Sequence, residues 1–398
     1  MRQNTSQAAR RAFVALVATV GVLAATACSD APSDTASSSP SKVSSSAPAD
    51  GSTPSTTAAA TCGARELSTM PLRQKLAQLL VVGVNDGADA RRVVTREHVG
   101  GVFIGSWTDL GMLRDGTVAK LSAQQKFPLM VTVDQEGGRV NRLKSVGVDL
   151  PSAREMAKTK TPAQVRAIAK RAGERMAELG ITVDFAPSAD VSDESDDEVI
   201  GDRSFSNDPA VVTRYAGAFA RGLMDAGIMP VYKHFPGHGH GSGDTHTGAV
   251  TSPPLREMQD VDLAPFRDLL AEPGTAGVLM GHLIVPGLTG ADTPASMSRA
   301  AIGMLRNGKK YNAPGFDGVV FTDDLSGMQA ITDEYTIEQA VLKAITAGVD
   351  AALWLSTDKV SSVLDTLVKA VKEGKLSTER INRSVVRVLT AKGVVTCS

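Results

Sequence analysis

Aromatic side chains make up only 4% of the 398 residues. That shortage leaves little with which to build the stacking platforms of a long open cleft for a polymer chain. The net charge is −1, so the chain lacks the basic excess that a nucleic-acid partner or an anionic membrane would draw on. No glycine-rich dinucleotide or phosphate-loop fingerprint follows the first strand-like run, which weakens the case for an open doubly wound sheet. The apolar stretch at 12–25 falls short of a transmembrane span. Cysteines number three, at Cys28, Cys62 and Cys397, with no cluster to hold a metal.

What is present at the N-terminus is a targeting segment. Residues 1–28 run from Arg2, Arg10 and Arg11 through apolar residues to Ala25-Thr26-Ala27-Cys28, the build of a secretory signal. A cysteine at the cleavage point makes it similar to a bacterial lipoprotein signal, in which Cys28 is lipidated and begins the mature chain. Ala25 departs from the Leu or Val usual there, and ordinary secretion is the alternative. Residues 29–62 are almost entirely Ser, Thr, Ala, Pro and Asp, a composition that cannot offset chain entropy by burial and is expected to form a disordered tether. This leaves 63–398 for one folded domain held outside the cytoplasm, touching the membrane through its lipid anchor alone. Cys62 and Cys397 bracket that domain, and outside the cytosol they are expected to pair. Closing so long a loop is worth at most about 5 kcal/mol.

Eight short apolar, β-branched runs recur along the chain, at 79–84, 101–105, 128–134, 181–186, 228–234, 277–284, 318–323 and 351–355. Helical spacing of apolar residues separates them, near 89–98, 112–125, 162–179, 208–226, 255–271, 295–308, 336–347 and 359–374, with a last helix near 378–393. Alternation over eight strands predicts an α/β fold, a TIM-like (β/α)8 barrel in a single catalytic domain. In such barrels chemistry sits at the C-terminal strand ends. Polar residues gather there: Asp134 ends the third run, Lys233 and His234 the fifth and Asp323 the seventh, with His282 near the end of the sixth.

Four of the six histidines fall between His234 and His246, interleaved with glycines. A metal site is one reading, since imidazoles and Asp244 are suitable ligands. The spacing does not suit a helix-borne pair, and the glycines fix no ligand geometry. The other reading is proton transfer: Asp244, two residues before His246, can hydrogen-bond the ring and favour its charged form, which gives one transferable proton near neutral pH. A merely solvated loop is the third. Asp323 is the best partner for such an acid, because a carboxylate at a buried strand tip costs stability unless it has a function or a cation. Asp324 is expected to point the other way and tie down a turn. Asp134, Arg142 and Arg203 would suit a ligand rich in hydroxyls, and the acidic run 190–198 is expected to be solvated, with calcium as the alternative.

Val133-Asp134-Gln135-Glu136-Gly137-Gly138-Arg139-Val140, Gly201-Asp202-Arg203-Ser204-Phe205, Lys233-His234-Phe235-Pro236-Gly237-His238-Gly239, Asp244-Thr245-His246 and Thr322-Asp323-Asp324-Leu325 resemble, in this order, motifs of glycoside hydrolase family 3, specifically its NagZ-type β-N-acetylglucosaminidases. The likeness runs from about residue 72 to 388. It implies retaining hydrolysis of terminal β-linked N-acetylglucosamine, with Asp323 as nucleophile, His246 as acid/base and Asp244 as its carboxylate partner. Asp134, Arg142, Arg203, Lys233 and His234 match sugar-holding positions. The resemblance calls for no cofactor and no metal, and a monomer acting on peptidoglycan fragments is expected. A loop-borne His246 is expected to stand away from Asp323 until substrate binds. The acidic 193–198 segment departs from the family pattern. A phosphorylase and a catalytically silent sugar-binding lipoprotein are the rival readings.

Overall fold

The computed structural model describes residues 62–272 and 274–396. Eight parallel strands form one sheet: β1 (Leu80–Gly83), β2 (Gly101–Ile104), β3 (Met130–Val133), β4 (Val183–Asp184), β5 (Met229–Phe235), β6 (Gly277–Met280), β7 (Val320–Thr322) and β8 (Ala352–Trp354). Their order is β7-β6-β5-β4-β3-β2-β1-β8. The two ends meet through a parallel bridge between Phe321 and Ala351, with Thr322 N–H donating to the Ala351 carbonyl at 3.1 Å and Ala351 N–H to the Val320 carbonyl at 3.0 Å. The sheet thereby closes into the expected barrel, which leaves no free strand edge. Phe103, Phe185 and Phe321 pack in series, the last pair edge-to-face at 5.2 Å between ring centres.

The surrounding helices are α1 (Gly87–Glu97), α2 (Thr117–Ala123), α3 (Pro162–Glu178), α4 (Pro209–Asp225), α5 (Ala264–Leu269), α6 (Arg299–Asn307), α7 (Ile337–Ala347), α8 (Val360–Lys372) and α9 (Thr378–Ala391). Local sequence sets several boundaries. Thr161 and Gln164 cap α3 reciprocally, as Thr336 and Gln339 cap α7, each pair satisfying two backbone donors at a helix start.

Three expected elements differ. The helix near 112–125 splits into Gly111–Arg114 and α2, because Gly116 adopts a left-handed φ of 71° between them. The helix near 255–271 shrinks to α5, since Pro265 fits only a first turn and the preceding residues fold as turns. The run 277–284 ends as a barrel strand at Met280; Leu283–Ile284 pairs instead with Val250–Thr251 in a small separate sheet. Cys62 is disulfide-bonded. Cys397 and Cys28, with the signal and nearly all of the tether, lie outside the described residues.

Candidate active site

A cavity of about 230 Å³ opens at the C-terminal ends of the strands, lined by Asp134, Arg142, Arg203, Lys233, His234, Asp244, His246 and Asp323 among others. All eight residues singled out for catalysis and sugar binding therefore share one pocket. They reach it from the tips of β3, β5 and β7 and from the loops that follow β3, β4 and β5.

The floor is an ion network. Lys233 Nζ stands 2.6 Å from both Asp134 Oδ1 and Glu136 Oε1. Arg203 grips Glu136 with two parallel bonds of 2.8 Å, from Nε to Oε2 and from Nη2 to Oε1. Burial alone would raise the Glu136 carboxyl, but the charges of Arg203 and Lys233 outweigh it and hold the group well below the usual carboxylate range. Asp184, also fully buried, behaves oppositely: burial pushes it well above its ordinary value, and its Oδ2 has no partner among the described residues.

The tautomer of His234 follows from its partners. Arg203 Nη2 lies 3.3 Å from His234 Nε2, and a guanidinium only donates, so Nε2 accepts. Nδ1 then carries the proton and donates to Asp190 Oδ2 at 2.6 Å. Asp190 is fully buried and also accepts from the His238 backbone N–H at 2.7 Å and from Ser188 Oγ at 3.0 Å. This corrects the expectation that the whole acidic run is solvated. Asp190 belongs to the site's foundation, and only the later members of the run lie at the surface. Arg139 Nη2 donates to the carbonyls of Val199 and Ile200 at 3.0 and 3.1 Å, and Arg154 Nη1 to Asp196 Oδ1 at 2.9 Å, so two arginines brace that rim loop.

Asp323 follows β7 directly, its side chain 15% exposed and its Oδ2 4.0 Å from His234 Nε2. Burial would raise it, but the neighbouring His234 and His282, the charge of Lys233 and a bond from the Asp324 N–H outweigh that and keep it below the ordinary carboxylate value. Asp324 turns away, accepting from Ser326 N–H, Ser326 Oγ and Gly327 N–H at 2.8, 2.9 and 2.7 Å, and so ties down the next turn. Burial raises its pKa to about 6. His282 donates from Nε2 to the Asp324 carbonyl at 2.8 Å; burial lowers its pKa, so the ring is a neutral brace beneath the strand tip.

The histidine-rich stretch divides its rings among separate carboxylates. His234 takes Asp190, His240 takes Asp262 at 2.8 Å, and His246 Nδ1 takes Asp244 Oδ1 at 2.7 Å. His238 is buried, its pKa lowered by burial and by His234 against whose ring it packs edge-on. Among the described residues no group of three or more His, Cys, Asp or Glu is placed to hold a metal ion. The His246 ring is 60% exposed and, among the described residues, makes no hydrogen bond or ion pair with Asp323. The loop that bears it is nonetheless fastened: Thr245 is buried, its carbonyl accepts from the Ala330 N–H at 3.1 Å, and its Oγ1 lies against Met328 Sδ.

Arg142 is the one cation of the pocket without a protein partner among the described residues. Glu136 and Asp190 were missed as functional residues. Their signal in the sequence was an acid two positions beyond a strand-end Asp and an acid at the start of an acidic run, and neither pattern distinguishes a buried counter-ion from a solvated surface.

A closed parallel barrel whose strand tips gather a buried carboxylate, a cationic cradle and a histidine–aspartate pair has the build of a glycoside hydrolase. The family model described as "Glycosyl hydrolase family 3 N terminal domain" matches residues 71–391, and the chain belongs to that family. It is 57% identical over 323 residues to the beta-hexosaminidase LpqI of Mycobacterium tuberculosis, a match covering 81% of this chain and 82% of that protein. A crystal structure of a GH3 glycosyl hydrolase from Mycobacterium smegmatis matches with a TM-score of 0.81 at 55% identity, covering 82% of this chain and 98% of that one. A family 3 beta-N-acetylglucosaminidase from a Paenibacillus species matches with a TM-score of 0.75 at 32% identity, over 82% of this chain and 63% of that one.

Proposed function

We propose that this glycoside hydrolase is a retaining exo-β-N-acetylglucosaminidase that removes terminal β-linked N-acetylglucosamine from peptidoglycan fragments. The observation that carries the mechanism is a single pocket holding an ionised, largely buried Asp323 and an exposed His246 whose Nδ1 is already committed to Asp244. The naming of the Mycobacterium tuberculosis relative as a beta-hexosaminidase and of the Paenibacillus neighbour as a beta-N-acetylglucosaminidase supports the sugar.

In the first step Asp323 forms a bond to the anomeric carbon as the glycosidic C–O bond breaks, and His246 Nε2 delivers its proton to the departing oxygen. In the second, the same nitrogen takes a proton from water, whose oxygen displaces Asp323 from the sugar. Asp244 is held below the ordinary carboxylate value, burial being outweighed by the His246 bonds; it stays an acceptor and keeps the transferable proton on Nε2. Asp134, Arg142, Arg203, Lys233 and His234 are assigned to the sugar. Arg142 has its donors unspent, whereas Arg203 acts largely by fixing Glu136 and His234.

The secretory and lipoprotein character of 1–28 supports a location outside the cytoplasm, with Cys28 as anchor and Cys62 bridged to Cys397. Turnover of aryl β-N-acetylglucosaminides with good and poor leaving groups tests the roles. Asp323→Asn should abolish both, while His246→Ala should spare the good leaving group, which needs little protonation. Equal losses for both substrates in His246→Ala would overturn its assignment. Sugar 1-phosphate as main product in the presence of phosphate would make the enzyme a phosphorylase.

A further inference from the structure

At the end of the barrel opposite the sugar pocket, the loops entering β7 and β8 join α6 and α9 around a second cavity of about 240 Å³. Guanidinium groups dominate its wall. Arg299 and Arg306 come from α6, and Arg380, Arg383 and Arg387 come from α9, where that spacing puts all three on one face; Asp317 is the one acid among the lining residues.

Part of this cluster has a structural task. Asp350 lies fully buried beneath the cavity and is paired with Arg306, Arg380 and Arg387. Arg387 also holds the exposed Asp317, through bonds of 2.8 and 2.6 Å. Yet one buried carboxylate needs one counter-charge, and here three converge on it. Five guanidinium groups stand against two carboxylates, an excess of three positive charges. Arg383 has no partner among the described residues, and Arg299 reaches only the Thr346 carbonyl, at 3.3 Å. Arg380 registers the crowding: burial, joined by repulsion from Arg306, Arg387 and Arg383, brings it down to about 10 despite Asp350. Like charges gathered in a concavity repel one another and attract an anion.

We propose that this cavity is a binding site for a phosphoryl group, a phosphate mono- or diester, with Arg299 and Arg383 supplying the uncommitted donors. Guanidinium forks match phosphate oxygens in pairs, and the volume suits a phosphate with a small ester group. The site lies behind the barrel from Asp323, so phosphate held here takes no part in the glycosidic step. It would instead fasten the enzyme's rear face to a phosphate-bearing surface and leave the sugar pocket open.

The test uses the full chain carrying Cys28→Ser, with and without Arg299→Ser plus Arg383→Ser, which leave the Asp350 pairs intact. Calorimetric titration with inorganic phosphate and with glycerol 3-phosphate is run at constant ionic strength. Phosphate entering the sugar pocket is untouched by these substitutions, so the difference between the two proteins reads the rear site. Binding should weaken at least about tenfold in the double variant, the loss of one charge-assisted contact or more, with melting temperature and glycoside turnover unchanged. Co-sedimentation with phosphatidylglycerol vesicles, against phosphatidylcholine, separates the sources. Arginine-dependent vesicle binding without arginine-dependent binding of soluble esters makes the phosphate a lipid headgroup. Equal behaviour of the two proteins toward every probe overturns the proposal.

Discussion

Replacing Lys233 by Met is the most direct trial of the ion network at the floor of the pocket. Its Nζ lies 2.6 Å from one oxygen of Asp134 and 2.6 Å from one of Glu136, and the Lys233 and Glu136 side chains are only 3% and 5% exposed. Methionine keeps most of the volume and removes the charge. Glu136 retains the Arg203 fork, but Asp134 then faces it with no cation between. Removing one partner of a buried pair costs roughly 3–5 kcal/mol. Because Arg203 remains and Asp134 is partly solvated, the lower end applies, about 3 kcal/mol, or a melting shift of roughly 6–12 °C. The effect carries a pH signature. Glu136 is held below its ordinary value, so its contribution is present above its unfolded pKa and is lost as pH falls through the folded one. Without Lys233 that contribution shrinks. The unfolded-state term is common to wild type and variant, so the gap stays fully open while Glu136 is ionised in both folded forms and closes only as pH falls through the variant's own folded value, which the remaining Arg203 fork keeps below the ordinary one. Urea unfolding followed at pH 7.5, 4 and 2.5 measures it. A gap as wide at pH 2.5 as at pH 7.5 would trace the loss to packing and refute the electrostatic account, as would a gap under about 1 kcal/mol at pH 7.5.

Three further outcomes follow from the loop after β5. Gly239→Ala would put a Cβ 1.9 Å from the Val191 carbonyl oxygen; the backbone must shift, and we expect a stability loss above about 2 kcal/mol with at least about tenfold less turnover, whereas wild-type stability and turnover would show that the loop yields freely. His240 is raised above its ordinary value chiefly by its bond to Asp262, so the fastening it provides is complete below its unfolded pKa and is lost as pH rises through the folded one. His240→Gln should therefore speed hydrogen exchange of the 238–246 amides at pH 6 and leave it unchanged at pH 9; equal acceleration at both would dissociate the effect from titration. Chelation by EDTA should leave turnover intact, and activity lost to EDTA but restored by a divalent cation would return the histidines to metal ligation.

The barrel was legible because its strands are short apolar runs, four of the eight carrying a polar residue at or near the C-terminal end, and several long helices begin at a cap such as Thr161 or Thr336. Failures came where backbone chemistry overrode apolar spacing: Gly116 split a helix, Pro265 delayed one, and the chain beyond Met280 left the barrel for another partner. That the eight candidate residues share one pocket was legible from the rule that barrel chemistry gathers at strand ends. Their internal wiring was not. Nothing in the sequence says that Arg203 spends its fork on Glu136, that Asp190 is a buried acceptor for both His234 and the loop, or that burial drives Asp184 well above its ordinary value. Those relations join residues tens of positions apart, and the balance of burial against neighbouring charge sets the direction in which each acid is shifted.

The same wiring bears on why an imidazole would serve as the acid here. Lys233, Arg203, Arg142 and Arg139 all line the pocket. Their field favours ionised carboxylates, which suits the nucleophilic role proposed for Asp323 and would spoil a carboxylic acid meant to keep its proton at neutral pH. An imidazole is the side chain suited to giving and taking a proton near neutral pH, and here one carboxylate is dedicated to orienting it. Asp244 lies two residues from His246 and accepts from both its ring and its backbone N–H, at 2.7 and 2.9 Å, so the two are bound into one unit. The link from Thr245 to Ala330 ties that unit to the segment following Asp323. In the proposed mechanism a displacement carrying His246 toward the substrate would therefore be coupled to the turn that Asp324 pins beside Asp323, and the exposed half of the site would be held in register with the buried half.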